Sequence, residues 1–194
     1  LAGPPRFRET MMPQHDTPPP PAPEPSMAEA FRDAFRRHPA GVAVITTLAQ
    51  DMPIALTVSS LASVSADPPT VTFSLSSASN TSQAICQAET VVIHFLDYGD
   101  LHLATLASAR GADRFGPDIA WERLPSGAPL YSNVKTWFRA RIVTRMNVEG
   151  ATVLAARLTE GRAASAREAP DINSLVYCDR RWHRLGDTTD VAQH

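Results

Sequence analysis

Five hydroxyl side chains fall within the nine residues Thr57-Val58-Ser59-Ser60-Leu61-Ala62-Ser63-Val64-Ser65, a density that a strand buried for packing seldom needs. Short hydroxyl residues let a planar ligand approach the backbone, and their O–H groups, with neighbouring N–H groups, can bond carbonyls, ring nitrogens or a phosphate. The alternative is a Ser-rich loop that bonds to itself. A second cluster, Ser76-Ser77-Ala78-Ser79-Asn80-Thr81-Ser82, leads into a stretch with helical character. The free N–H groups and positive dipole end of a helix suit a phosphate there, while plain N-capping accounts for the same residues equally well.

The remaining candidates carry less. His94 lies in the apolar run 90–95 and reads as a satisfied core histidine rather than a ligand or base. His38 ends the first expected helix, where an imidazole can bond the last carbonyls. His183, beside Trp182, could reach a site from the C-terminal strand, but Arg180-Arg181 next to it suggest an exposed turn. Cys86 and Cys178 have neither metal-ligand nor disulfide-framework spacing, so they read as buried, inert thiols and fit a reducing cytoplasm. No spacing in the chain suggests a metal site.

Elements must hold these residues in place. The chain has 194 residues, 43% hydrophobic and 20% charged, which is ordinary composition for one globular domain. A formal net charge of −2 gives no basic field for nucleic acid, although a local patch could bind one phosphorylated ligand. The apolar stretches are too short to span a membrane, and no basic N-terminal stretch leads into an apolar core. Nine of the 17 prolines lie in residues 1–25, where no apolar periodicity exists; this reads as a disordered or polyproline-like tail that could at most be a ligand for a proline-binding groove. The domain is expected over 26–187, with 188–194 a C-terminal tail.

Ser26 and Glu29 have capping-box spacing, and Met27, Ala30, Phe31, Ala34 and Phe35 recur at helical spacing, which predicts a helix over 27–38 whose apolar face is core. Pro39 stops it. Residues 41–47 and 53–58 read as a hairpin across Gln50-Asp51, with further strands at 70–75, 90–95, 135–146, 151–160 and 174–178. Helices are expected over 79–87 and about 99–108. Many strands, short connections and few helices predict a mainly β protein, an antiparallel β-barrel with flanking helices rather than an alternating βαβ sheet.

The order of these pieces resembles the short-chain flavin reductase family. The resemblance rests on Phe31, Gly41-Val42-Ala43-Val44-Ile45-Thr46-Thr47, the segment Thr57 to Ser65 with Pro68-Pro69, and Ser79-Asn80-Thr81 with Ile85. Downstream it continues through Asp113-Arg114-Phe115 and Leu175-Val176-Tyr177 with Arg181-Trp182 and Leu185, covering about residues 28–186. It implies an FMN-binding split barrel of Greek-key antiparallel strands, usually a homodimer. It also implies reduction of FMN or FAD by NADH or NADPH, often for a partner monooxygenase. Carried over by position, Thr57, Val58, Ser59 and Ser60, with Ser63 in the same segment, would line the isoalloxazine edge. Ser76, Ser79, Asn80 and Thr81 would meet the ribityl phosphate, with Arg114 adding charge and Phe115 beside it. None of these acts as acid, base or nucleophile, as expected where the cofactor carries the hydride chemistry and the protein supplies position and electrostatics.

One departure matters. Where such proteins typically open a strand with Gly-Asp-His, whose histidine is associated with the nicotinamide, this chain reads Glu149-Gly150-Ala151, and a later Gly-Glu pair is replaced by Ala156-Arg157. Ala151, Tyr177 and His183 are the candidates for the nicotinamide side. Two readings follow: an NAD(P)H:flavin oxidoreductase that releases reduced flavin to a monooxygenase, or a flavin carrier, or flavoprotein of the same fold, that has lost the NAD(P)H site.

Overall fold

In the computed structural model, residues 25–165, 167–168 and 171–189 are described. The expected tail at 1–25 therefore lies outside them except for Pro25, as does 190–194 of the expected C-terminal tail. The first helix, α1 (Met27–Arg37), starts with the predicted capping box: the Ser26 hydroxyl accepts from the Glu29 N–H, and the Glu29 carboxylate accepts from the Ser26 N–H at 2.8 Å. His38 is its C-cap. The expectation that its apolar face is core is overturned, because no residue of α1 is buried and Met27, Phe31 and Phe35 are 84%, 56% and 61% exposed. Among the described residues, the helix is tied down near its last turn. Arg36 pairs with Asp179 at 2.8 Å, the Arg36 carbonyl accepts from the Asp179 N–H at 2.7 Å, and the Arg37 carbonyl accepts from the Cys178 thiol. Helical periodicity reports that an apolar face exists, not what covers it.

The chain continues through β1 (Ala40–Gly41), β2 (Ala43–Ala49), β3 (Met52–Val58), β4 (Ala62–Ala66), β5 (Pro69–Ser76) and α2 (Asn80–Gln87). Then come β6 (Thr90–Phe95), a 3₁₀ turn at Tyr98–Asp100, α3 (Leu101–Ser108), β7 (Trp121–Arg123) and β8 (Pro129–Tyr131). Last are β9 (Thr136–Val148), β10 (Ala151–Arg162), β11 (Leu175–Cys178), β12 (Arg181–Arg184) and a 3₁₀ turn at Asp187–Thr189. Seven strands form one antiparallel sheet in the order β3-β2-β6-β9-β10-β5-β4, flanked by the small sheets β1-β11-β12 and β7-β8. The expected hairpin at Gln50-Asp51 is present, and both residues take positive φ (51° and 63°), as a tight β-turn between twisted strands requires.

One core joins Ile45 and Val58 from one side of the sheet with Phe73 from the other, together with Ile93, Leu154 and Ile85 of α2. The sheet therefore curls so that both edges enclose the same apolar interior, which is the split-barrel architecture. A second core, on its other side, packs Val44 and Leu96 against α3 (Leu103, Ala104), Tyr131 and Leu175. β2 is buried along Ala43 to Thr47 because it lies between the two cores. Residues 62–66, at the end of the hydroxyl-rich segment, form the exposed edge strand β4; the exposed turn expected at Arg180-Arg181 lies at Asp179-Arg180, because Arg181–Arg184 pair with β11 as β12. Among the described residues no helix is long and apolar enough to cross a membrane.

Candidate functional site

β5 alternates strictly. Val71, Phe73 and Leu75 point into the barrel, so Thr70, Thr72, Ser74 and Ser76 form a ladder of hydroxyls on the outer face. Thr70 and Thr72 donate to the carbonyls of Pro68 and Leu154, whereas Ser74 and Ser76 are exposed at the end of the strand. The Ser60 hydroxyl clamps that end, donating to the Ser74 carbonyl at 2.9 Å and accepting from the Ser74 N–H at 3.0 Å. The loop between β3 and β4 is thus fixed over β5. Thr57 has a committed hydroxyl, donating to the Ala104 carbonyl of α3 at 2.7 Å, and Val58 belongs to the core. Ser63 is exposed on β4 opposite Val71.

At the next corner, Ser79 caps α2, its hydroxyl accepting from the Ser82 N–H, and Ser76 accepts from the Ala78 N–H. The side chains of Asn80 and Thr81 make no hydrogen bond among the described residues. Their backbone N–H groups belong to the first turn, where a helix has no internal acceptor to offer. Capping and an open anion position therefore coexist here, on different residues. The β9–β10 turn reaches the same corner: Gly150, at φ 79°, accepts from the Ser77 N–H at 3.0 Å, and Ala151 lies directly opposite Ser76. Residues paired this way project from the same face, with Cβ atoms about 4.5–5.5 Å apart. The position lacking the imidazole is thus a neighbour of the hydroxyl ladder. Val153, opposite Ser74, extends this face toward Met146 and Val148, which are 55% and 50% exposed.

Tyr177 and Trp182 are cross-strand partners with ring centroids 4.7 Å apart. They close a cavity of about 230 Å³ with Thr57, Ser59 and Ser108. Sequence reasoning missed Trp182 and Ser108 at this place; the aromatic pair was legible only once the hairpin register was known. Strand alternation turns His183 to the opposite face from Trp182, and its Nε2 lies 3.1 Å from the Cys178 carbonyl, so His183 does not join this cavity.

Arg114 and Phe115 also lie elsewhere. The Arg114 guanidinium donates to the carbonyls of Ala107, Ala109 and Ala112, closing the C-terminal end of α3. Phe115 stacks on Tyr131 at 5.4 Å and meets Trp121 edge-on. Both border a separate cavity of about 430 Å³ beside Met52, Pro53 and Arg123. The charge expected from Arg114 at Ser76, Ser79 and Thr81 is therefore not brought there. Behind this element, Tyr131 donates its hydroxyl to the Arg114 carbonyl, and burial raises its pKa. His94, fully buried, accepts at Nε2 from the Tyr131 N–H at 3.0 Å, so its proton sits on Nδ1 and is donated to the Val44 carbonyl at 3.1 Å. Burial pushes its pKa down to about 4, with the Val44 carbonyl opposing. Cys86 and Cys178 are free and half-buried rather than fully enclosed.

The corner thus offers hydroxyls, unpaired N–H groups and small side chains, and the Tyr177–Trp182 pair walls the separate cavity at Thr57, with no acid, base or nucleophile among them. Such a set fits a planar ring system carrying a phosphate, held by short hydrogen bonds and reacting through its own chemistry.

The chain is similar to known proteins over most of its length. Residues 35–186 match the family model described as "Flavin reductase like domain". The NADH:FMN oxidoreductase of Rhodococcus qingshengii is 32% identical over 154 residues, which are 79% of this chain and 80% of that one. The FMN reductase (NADH) RutF of Methylorubrum extorquens is 34% identical over 160 residues, 81% of this chain and 75% of that one. Among solved structures, a flavin reductase domain protein from Arthrobacter sp. FB24 aligns with a TM-score of 0.74 at 30% identity, covering 82% of this chain and 96% of that one.

Proposed function

The chain belongs to the flavin reductase-like family, and from that membership together with the corner at Ser76, Thr81 and Ala151 we propose where and how it works. It is an NAD(P)H:flavin oxidoreductase. When bound, the flavin would supply the redox chemistry, as the acceptor of the hydride that the nicotinamide co-substrate provides. The observation that carries the placement is the register of β10 on β5, which sets Ala151 beside Ser76 and one turn from the free N–H groups of Asn80 and Thr81. Asn80 and Thr81 hold the phosphate, Ser74 and Ser76 bond the polar chain behind it, and Ser59 and Ser60 present hydroxyl and N–H groups to the ring edge. Tyr177 and Trp182 exclude water on the side of Thr57. Each role is binding or orientation, which is what a reaction carried by its cofactor asks of a protein.

The open outer face of β5 suits a flavin that exchanges, and therefore a reductase that passes reduced flavin to a monooxygenase. We also propose a homodimer in the cytoplasm. Val143, Met146 and Val148 lie exposed along β9, an apolar surface that a second copy would cover. Sedimentation at micromolar concentration should then give twice 21.0 kDa, and a monomer would reject the dimer.

Ala151 in place of an imidazole favours a second reading, a flavin carrier without NAD(P)H use. Anaerobic addition of NADH and of NADPH to the protein with FMN or FAD, followed by flavin absorbance, separates the two. Bleaching with either nucleotide is expected. Flavin that binds but stays oxidised with both would establish the carrier.

A further inference from the structure

The cavity of about 430 Å³ at Arg114 and Phe115 shares no lining residue with the cavity at Thr57. One wall is the start of β3, Met52 to Ile54, and Met52, 67% exposed, stands about 16 Å along the strand from Thr57. A second wall is aromatic and fixed in place. Phe115 and Trp121 meet edge-on with ring centroids 5.0 Å apart, and the Trp121 indole N–H donates to the Phe115 carbonyl at 2.9 Å. Arg123 brings a charge to this wall. Its guanidinium carbon lies 5.9 Å from the centre of the Trp121 ring, and its two terminal nitrogens each donate to a carbonyl at 3.2 Å, those of Asp51 and Gly127. Both acceptors are neutral, and a guanidinium has five N–H groups. Neither Arg123 nor Arg114 forms an ion pair among the described residues. The carboxylate on the rim, Asp113, is turned to its own loop and accepts from the Phe115 N–H at 3.1 Å.

The volume lies within the range of about 300–1,000 Å³ typical of small-molecule sites. A thioether, a proline and two rings suit a flat apolar body, and a guanidinium pinned by neutral acceptors keeps its charge for an anionic end. An inorganic anion leaves the apolar walls unused, and a neutral ring leaves the guanidinium unanswered. We propose that this cavity binds a small aromatic carboxylate, with the ring between Met52 and Trp121 and the carboxylate on Arg123. The flavin path proposed above runs from Ser60 along β5 to Thr81, so the two sites can be filled at once.

The probe is benzoate, titrated calorimetrically into the full chain with and without FMN. Saturable binding is expected, with a Kd that FMN changes by less than about 2-fold, since the sites do not overlap. Arg123→Gln removes the charge and should weaken benzoate about 10- to 100-fold. Because Arg123 also ties two turns together, a second variant leaves it in place: Ala112→Phe fills the cavity from its lining and should abolish binding. Cooperative urea unfolding with the wild-type slope shows that both variants are folded. Benzamide has the ring without the charge and hexanoate the charge without the ring, and each should bind at least about 10-fold more weakly. No saturable binding of benzoate up to about 10 mM, or wild-type affinity in either variant, overturns the site. Displacement of benzoate by FMN puts the probe in the flavin site and rejects this one. Benzamide or hexanoate binding as tightly as benzoate rejects the aromatic carboxylate as the ligand class.

Discussion

Acid should unfold this protein through His94 before most of its exposed carboxylates matter. The imidazole is fully buried between Val44 and Tyr131 with both ring nitrogens paired, and its pKa falls from 6.5 to about 4 in the folded chain because burial disfavours the cation. An added proton would sit on Nε2, where the Tyr131 N–H already points, and would break that bond. The folded pKa is depressed, so the unfolded chain takes up the proton first. The full stability is present above pH 6.5 and drains away as pH falls toward 4. Each tenfold difference in proton affinity is worth about 1.4 kcal/mol, so the interval amounts to about 3 kcal/mol, a large part of the about 5–15 kcal/mol that folds a typical domain. The substitution His94→Gln removes the titration while an amide can still accept from Tyr131 and donate toward Val44. Imperfect geometry should lower stability at pH 7.5 by about 1–2 kcal/mol. Urea unfolding followed by tryptophan fluorescence, in half-unit steps from pH 7.5 to 4, should show the wild type losing about 3 kcal/mol more than the variant across the range. Carboxylate titrations are common to both proteins and cancel. Parallel curves would refute the linkage and with it the neutral, doubly bonded imidazole.

Three further outcomes are expected. Ala151→His places an imidazole beside Ser76 on the face of the hydroxyl ladder and, by restoring one hydrogen-bonding group, should raise kcat/KM for the nicotinamide nucleotide by about 5- to 100-fold; steady-state kinetics with FMN and equal values for both proteins would remove Ala151 from the nicotinamide side. Thr81→Leu takes away an unpaired hydroxyl at the start of α2 and crowds the anion position, so FMN and FAD should bind about 10-fold more weakly in a fluorescence titration, and an unchanged Kd would move the phosphate elsewhere. A chain starting at Ser26, whose capping box is self-contained, should reduce flavin at the full rate, whereas a folded but inactive truncation would assign a function to residues 1–25.

Signals that depend on a few neighbouring residues were legible in the sequence. The Ser26–Glu29 cap, the Gln50-Asp51 hairpin and the cap at Ser79 each follow from local hydrogen bonds that the residue types themselves prescribe. The outward hydroxyl ladder of β5 is equally present in the alternation 70–76, but Thr70, Thr72 and Ser74 fall between the two hydroxyl clusters and only Ser76 belongs to one of them. What could not be read was any property fixed by distant chain. The apolar stripe of α1 looks the same in sequence whether it faces a core or a cleft, and the bonds of its last turn to Cys178 and Asp179 decide the matter. Short strands such as β8 and β12 have too few residues to show a period and exist because Trp121 and Tyr177 supply partners for them.

The element Asp113-Arg114-Phe115 shows how far such reasoning carries. It stands among the residues that mark the family, and a basic side chain next to a phosphate-binding segment invites a role on the phosphate. In the fold its guanidinium closes the carbonyls of α3, its backbone carbonyl receives the Tyr131 hydroxyl, and Phe115 lies flat on the Tyr131 ring, which His94 in turn holds by the backbone. α3 is also the helix whose Ala104 carbonyl takes the Thr57 hydroxyl and whose last residue, Ser108, borders the cavity of Tyr177 and Trp182. Arg114 therefore acts on the site at one remove, by fixing the helix against which Thr57 is oriented. A residue type that could bind a ligand directly instead fixes the helix that orients the Thr57 hydroxyl.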